Sequence, residues 1–145
     1  MTLLGPVVTY GAETWPLRKE DERKLIVWER KVLRKIYGPM KDSSSNKWRI
    51  RTNDELGLLF QKPNILDTIT SRRLKWAGHA WRSQNLLIRI VLEKDPVGKR
   101  PLGRPRMRWE DLVKKDVSAL GGGSDWKERA SDRDGWREGC LTGWS

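Results

Sequence analysis

The residues best suited to chemistry in this sequence are cations spaced along a predicted helix. Arg72, Lys75, His79 and Arg82 recur at intervals of three, four and three, and Arg73 lies beside them. On an α-helix this spacing places side chains on one face. A row of cations can follow the phosphates of a nucleic acid, with an affinity that falls as salt rises. The alternative interpretation is an ordinary solvated helix face.

A second basic segment could contact nucleic acid for a different reason. Residues 99–108 read KRPLGRPRMR, and their prolines and glycine exclude a regular helix or strand. An extended basic backbone can enter a narrow minor groove or contact phosphates. Residues 103–105 are similar to the core of an AT-hook, but Leu102 stands where that motif usually has arginine. A charged linker is the alternative. The candidate binding residues are Lys99, Arg100, Arg104, Arg106 and Arg108.

The nine tryptophans could either stack on bases or fill a core. Four of them lie in apolar stripes of predicted helices, which favours the core. These four are Trp28, Trp76, Trp109 and Trp126. Trp48 instead lies among Lys47, Arg49 and Arg51. An aromatic ring among cations is typical of a base-stacking contact, so we predict that Trp48 binds nucleic acid.

Signals of an enzyme are weak. The sequence has no Asp-Asp pair, P-loop or dinucleotide-binding glycine pattern. Glu110 and Asp111 are better explained as partners of a helix dipole in its first turn. One cysteine, Cys140, and one histidine cannot form a zinc finger or an internal disulfide. We therefore predict no catalysis, no cofactor, no metal and no small-molecule substrate.

The net charge indicates the class of partner. The chain carries a formal charge of +11, which favours partners that bear phosphate, either RNA or DNA. The excess is concentrated in residues 64–109, with 11 basic and 3 acidic side chains, whereas residues 110–145 are mildly acidic. No apolar run is long enough for a membrane span, and residues 1–8 do not resemble a signal peptide. We expect a nuclear or cytoplasmic protein.

The hydrophobic pattern predicts an all-α chain of about five loosely packed helices of unequal length, with an irregular basic loop. The longest helices are predicted over 18–37 and 65–81. A short helix is predicted to begin at an Asn53 N-cap, another covers about 86–92, one begins near Arg108, and Ser124 caps the last. Four segments follow from this pattern, namely residues 1–63, 64–94, 95–108 and 109–145.

An ordered set of short motifs carries a resemblance to a known family. The motifs are YGAETW at 10–15, DERKL at 21–25, VLRKI at 32–36, RRLKWAGH at 72–79, GKRP at 98–101, GRPRMRWED at 103–111, DWK at 125–127 and ASDRDGWR at 130–137. In this order they resemble the C-terminal part of non-LTR retrotransposon reverse transcriptases that are fused to an endonuclease. The resemblance covers about residues 7–137.

The resemblance implies a thumb-like segment over 1–63 and a following region that contacts template and primer. It transfers no catalytic residue, because the polymerase palm and the endonuclease of such proteins lie upstream of the matching motifs. We therefore expect a truncated, non-catalytic fragment that binds RNA or DNA. A basic protein-interaction module with an acidic partner, and a remnant without selected function, are the alternatives.

Overall fold

The structure is a computed structural model that describes residues 4–42, 46–94, 98 and 107–144. The chain is mostly helical, as predicted. Its α-helices are α1 (Leu4–Val8), α2 (Lys19–Tyr37), α3 (Asn53–Phe60), α4 (Ile65–Arg82), α5 (Leu86–Glu93), α6 (Trp109–Ala119), α7 (Trp126–Ser131) and α8 (Arg133–Thr142). A 3₁₀ turn over Ala12–Thr14 lies between α1 and α2.

The prediction of about five helices was too low, because eight α-helices occur within the described residues. Part of the excess arises at Asp132, where the predicted last helix is divided. The Asp132 side chain accepts a hydrogen bond from the backbone N–H of Asp134 and so starts α8 directly after α7. The structure also contains a short antiparallel ladder that was not predicted, formed by β1 (Met40–Lys41) and β2 (Trp48–Arg49).

Two predicted N-caps are displaced by one residue. Thr52, not Asn53, caps α3, and its hydroxyl accepts from the N–H of Glu55 while the Glu55 carboxylate accepts from the N–H of Thr52. This reciprocal pair satisfies two helix-end donors, which an Asn53 cap would not. Asp125, not Ser124, caps α7 by accepting from the N–H groups of residues 127 and 128.

The chain divides into two compact units. The first comprises the described residues of Met1–Pro16 and Ile69–Ser145, and the second is Leu17–Thr68. The boundary therefore lies within α4. The four segments inferred from composition stay a prediction, since they were defined by pattern and not by packing.

The core of the first unit is built from α4, α6, α7 and α8. Its fully buried members come from all four helices and include two tryptophans. They are Leu74, Ala77, Val113, Val117, Trp126, Ala130, Trp136 and Cys140. The partly buried rings of Trp81, Trp109 and Trp144 pack against this cluster. Burial of such large apolar groups supplies most of the driving force for folding.

The second unit packs α2 against α3, with Leu33 and Leu56 buried. Arg34 of α2 donates to the carbonyl of Arg51 and to the side-chain oxygen of Asn53. These bonds anchor the start of α3 to the last turns of α2. Glu29 of α2 is only 7% exposed and accepts a hydrogen bond from the backbone N–H of Ile65.

Within the described part of the chain, we find no helix that combines the length and apolar character needed to cross a membrane.

Candidate nucleic-acid interface

Helix α4 buries most of its predicted apolar face, including Ile69, Ala77 and Ala80, but two of its residues are placed differently from the prediction. Periodicity placed Trp76 inside and Arg73 among the binding cations. In the structure Trp76 is 39% exposed, whereas Arg73 is only 4% exposed. The reason is a partner on another helix, because Nη1 of Arg73 lies 2.8 Å from Oδ2 of Asp116 on α6. A buried guanidinium is tolerated when a carboxylate pairs with it.

The approach of α8 explains which side of α4 is most deeply buried. Trp136 of α8 donates its indole N–H to the carbonyl of Leu74 at 3.0 Å. Its ring lies directly over Gly78, where a Cβ atom would collide with the indole. The side of α4 that carries Leu74, Ala77 and Gly78 is therefore buried. Trp76 is left at the edge of that buried face.

Two of the predicted binding arginines make contacts inside the first unit. Nη1 of Arg72 donates to the carbonyl of Thr9 at 2.9 Å. Nη1 of Arg82 donates to the carbonyl of Ala130, at the end of α7. Both side chains are half-buried. Each guanidinium has five N–H donors, so these contacts fix the position of the charge and leave donors for a further partner.

The exposed members of the predicted stripe are Lys75 and His79, and Trp76 is exposed beside them. We call these three residues the α4 surface. Lys75 and His79 are both exposed. The rings of Trp76 and His79 have centroids 5.5 Å apart, with their planes 38° apart. An aromatic ring thus lies at the edge of the exposed face that carries Lys75 and His79. Trp76 is the member that the sequence interpretation missed, because its hydrophobicity assigned it to the core.

Most of the basic segment lies outside the described residues. Lys99, Arg100, Arg104 and Arg106 belong to that part, and their binding role stays a prediction from sequence. Arg108 is described and exposed, and it precedes α6. Its backbone N–H donates to the carboxylate of Asp111 at 2.8 Å. The expected first-turn role of Asp111 is confirmed by this bond.

Trp48 lies in the second unit, in strand β2, and is 69% exposed. Its neighbour Arg49 forms an ion pair with Glu55 of α3 at 2.5 Å. The Nε atom of Arg51 donates to the carbonyl of Gly38. Two of the three cations that flank Trp48 in sequence therefore stabilise the second unit. The cation directly opposite Trp48 across the ladder is Lys41, which only the strand register reveals.

The described titratable groups outside the α4 surface include the Cys, Asp and Glu side chains that could ligate a metal. No group of three or more His, Cys, Asp or Glu side chains suited to a metal ion occurs among the residues that the structure describes. The one thiol, Cys140, is buried in the core of the first unit. Burial raises the pKa of Cys140 to about 11 and keeps it protonated at neutral pH.

Comparison with known proteins gives one informative similarity. A Caenorhabditis elegans protein, whose name describes it as uncharacterized and transposon-derived, is 26% identical over 141 residues. The aligned region covers 93% of this chain and 50% of the relative. The similarity supports a transposon origin. This transposon-related chain spans about half the length of the curated relative that it matches. No protein-family profile matches it, and no solved structure matches it.

Proposed function

We propose that this chain is a non-catalytic, nucleic-acid-binding part of a transposon-derived protein, equivalent to the C-terminal region of a non-LTR retrotransposon reverse transcriptase. It contacts the backbone of template, primer or target DNA. The observation that carries the proposal is the α4 surface, where Lys75 and His79 are exposed beside the partly exposed ring of Trp76. The weak similarity to a transposon-derived protein supports the same proposal.

The electrostatics of the chain support a polyanionic partner. A charge of +11 attracts nucleic acid over several ångströms and supplies affinity without sequence preference. On α4 we assign this affinity to the exposed side chains of Lys75 and His79. Arg72 and Arg82 contribute through the guanidinium N–H groups that are not used in their contacts with Thr9 and Ala130. Arg73 acts differently, since its charge is neutralised by Asp116 within the core.

The basic segment is proposed as a second, irregular contact. Lys99, Arg100, Arg104, Arg106 and Arg108 lie between the end of α5 and the start of α6. Cations separated by proline and glycine can follow a backbone without first unwinding a helix. We assign no catalytic residue and no cofactor to this function, because the motifs that the chain shares with reverse transcriptases lie outside the polymerase palm.

Titration of a labelled duplex and a labelled single strand by fluorescence anisotropy tests the proposal. We expect binding that weakens steeply, by about 10³-fold, between about 50 and 200 mM salt if six or more phosphates are contacted. Lys75→Ala should lower the slope of log affinity against log salt by about 1.

Lys115→Ala is the matched control, since Lys115 is an exposed lysine of α6 in the same unit. An equal loss of affinity in both variants would show that the positive charge of the chain attracts nucleic acid without a defined site, and would overturn the assignment to the α4 surface. Absence of binding at low salt would refute the function itself.

A further inference from the structure

The short ladder of the second unit has two faces with different surroundings. Successive side chains of a strand point to opposite faces, and directly opposed residues of an antiparallel pair share one face. Arg49 is paired with Met40 and contacts Glu55 of α3. The other face therefore carries the second pair, Lys41 and Trp48, and both of these residues are exposed.

The face with Lys41 and Trp48 combines apolar surface with positive charge. Trp48 is 69% exposed and Ile50, two residues further along, is 74% exposed. Lys47 precedes Trp48 and is also exposed, but the alternation of side chains along the strand places it on the opposite face. Asp42, the acidic residue of this stretch, is half-buried. We call the group formed by Lys41, Trp48 and Ile50 the hairpin face.

We propose that the hairpin face binds an unpaired nucleobase, which stacks on the indole of Trp48 while Lys41, directly opposite across the ladder, neutralises a flanking phosphate. The inference rests on the proposed function and adds to it a selectivity for single strands. In a duplex both faces of each internal base are covered by neighbouring bases, so a flat indole finds no free base there. Stacking on an exposed aromatic ring is tolerant of sequence, because every base has a π-face.

The charge of the hairpin face favours this occupant over an apolar peptide segment. A purely apolar partner would leave Lys41 beside its edge without a counter-charge. An unpaired nucleotide supplies one flat ring and one phosphate on each side, which is the chemistry that these side chains complement. RNA and single-stranded DNA share this chemistry.

Binding of three labelled nucleic-acid probes to the full chain tests the inference. The probes are a short thymidine oligonucleotide, the same oligonucleotide with abasic sugars at its centre, and a blunt duplex. We expect Trp48→Ala to weaken binding to the thymidine oligonucleotide by roughly 5- to 100-fold and to leave duplex binding unchanged. The wild-type chain should prefer thymidine to abasic strands, and the variant should lose this preference.

Two control variants make the result specific. Trp48→Phe keeps a flat ring and should retain most of the preference for thymidine. Leu58→Ala removes another apolar side chain of the second unit, which lies on α3 and is 74% exposed. This variant should leave the affinity for all three probes unchanged. Photocrosslinking of an oligonucleotide that carries 5-iodouracil should map to residue 48.

The possible outcomes separate the inference from the proposed function. If the wild-type chain binds duplex and single strand but Trp48→Ala leaves the thymidine preference intact, the hairpin face is not the stacking site and the proposed function stands. An equal loss of duplex and single-strand binding in Trp48→Ala would also overturn the inference, as would capture of an apolar peptide in place of nucleic acid. If the wild-type chain binds no probe at low salt, the inference and the proposed function are both wrong.

Discussion

Arg73 of α4 and Asp116 of α6 form an ion pair inside the first unit, with Nη1 and Oδ2 2.8 Å apart and side chains only 4% and 15% exposed. The pair joins two helices through residues that are 43 positions apart in sequence. It also takes one arginine out of the predicted binding stripe. Removal of water from both charges is costly, so the contact is sensitive to loss of either partner.

Asp116→Ala should therefore strongly destabilise the first unit, by about 3–5 kcal/mol, because it leaves a buried guanidinium without its carboxylate. Urea unfolding followed by tryptophan fluorescence measures the loss. The double variant Arg73→Met/Asp116→Leu should recover most of the stability, since a matched apolar pair removes both buried charges. Lys75→Ala, on the exposed face of the same helix, should change stability by less than about 0.5 kcal/mol. If the double variant lost as much stability as Asp116→Ala, this explanation would be contradicted.

Two helical glycines should respond in opposite ways to replacement by alanine. Gly78→Ala places a Cβ atom against the indole of Trp136, so we expect a loss of about 1–3 kcal/mol from overpacking. Gly57 of α3 has no atom within 4 Å of such a Cβ. Gly57→Ala should therefore stabilise the second unit by up to about 1 kcal/mol through helix propensity. Thermal unfolding of both variants tests the pair, and stabilisation by Gly78→Ala would contradict the packing of α8 on α4.

Glu55 should make the second unit sensitive to acid. Its hydrogen bond with Arg49, aided by the N–H of Thr52, lowers the pKa of Glu55 from 4.5 to about 2. A lowered pKa means that the folded state binds this proton less readily than the unfolded state. Stability that is present above pH 4.5 should therefore be lost as the pH falls toward about 2. Glu55→Gln should be less stable than the wild type near neutral pH and should lack this part of the pH dependence.

Glu29 should have the opposite effect. Burial raises the pKa of Glu29, and the nearby charge of Asp67 acts in the same direction. The folded state therefore binds this proton more readily, and the ionised side chain costs stability at neutral pH. Glu29→Gln should raise the free energy of unfolding at pH 7, and the gain should shrink as the pH falls through the raised pKa. A gain that is independent of pH would show that the charge of Glu29 is not the cause.

The long helices could be predicted from the sequence because their signals are local. The pattern predicted 18–37 and 65–81, and the structure has Lys19–Tyr37 and Ile65–Arg82. Apolar periodicity and Gly38 at the end of α2 depend only on nearby residues. The hairpin face could not be predicted, because the opposition of Lys41 and Trp48 depends on a ladder of two residues per strand. Strands this short leave no alternating pattern in the sequence.

The sequence by itself determined the helical class, the strongly basic character and the concentration of charge in residues 64–109. The charge properties are sums over residue types that packing does not change, and the helical class follows from apolar periodicity, which depends on nearby residues. Only the tertiary structure decided which cations face solvent. It buried Arg73 and exposed Trp76, against the order of their hydrophobicity. The physical reason is that Asp116 supplies a partner that makes burial of the Arg73 charge tolerable, and that the packing of Trp136 on Gly78 fixes which side of α4 faces inward.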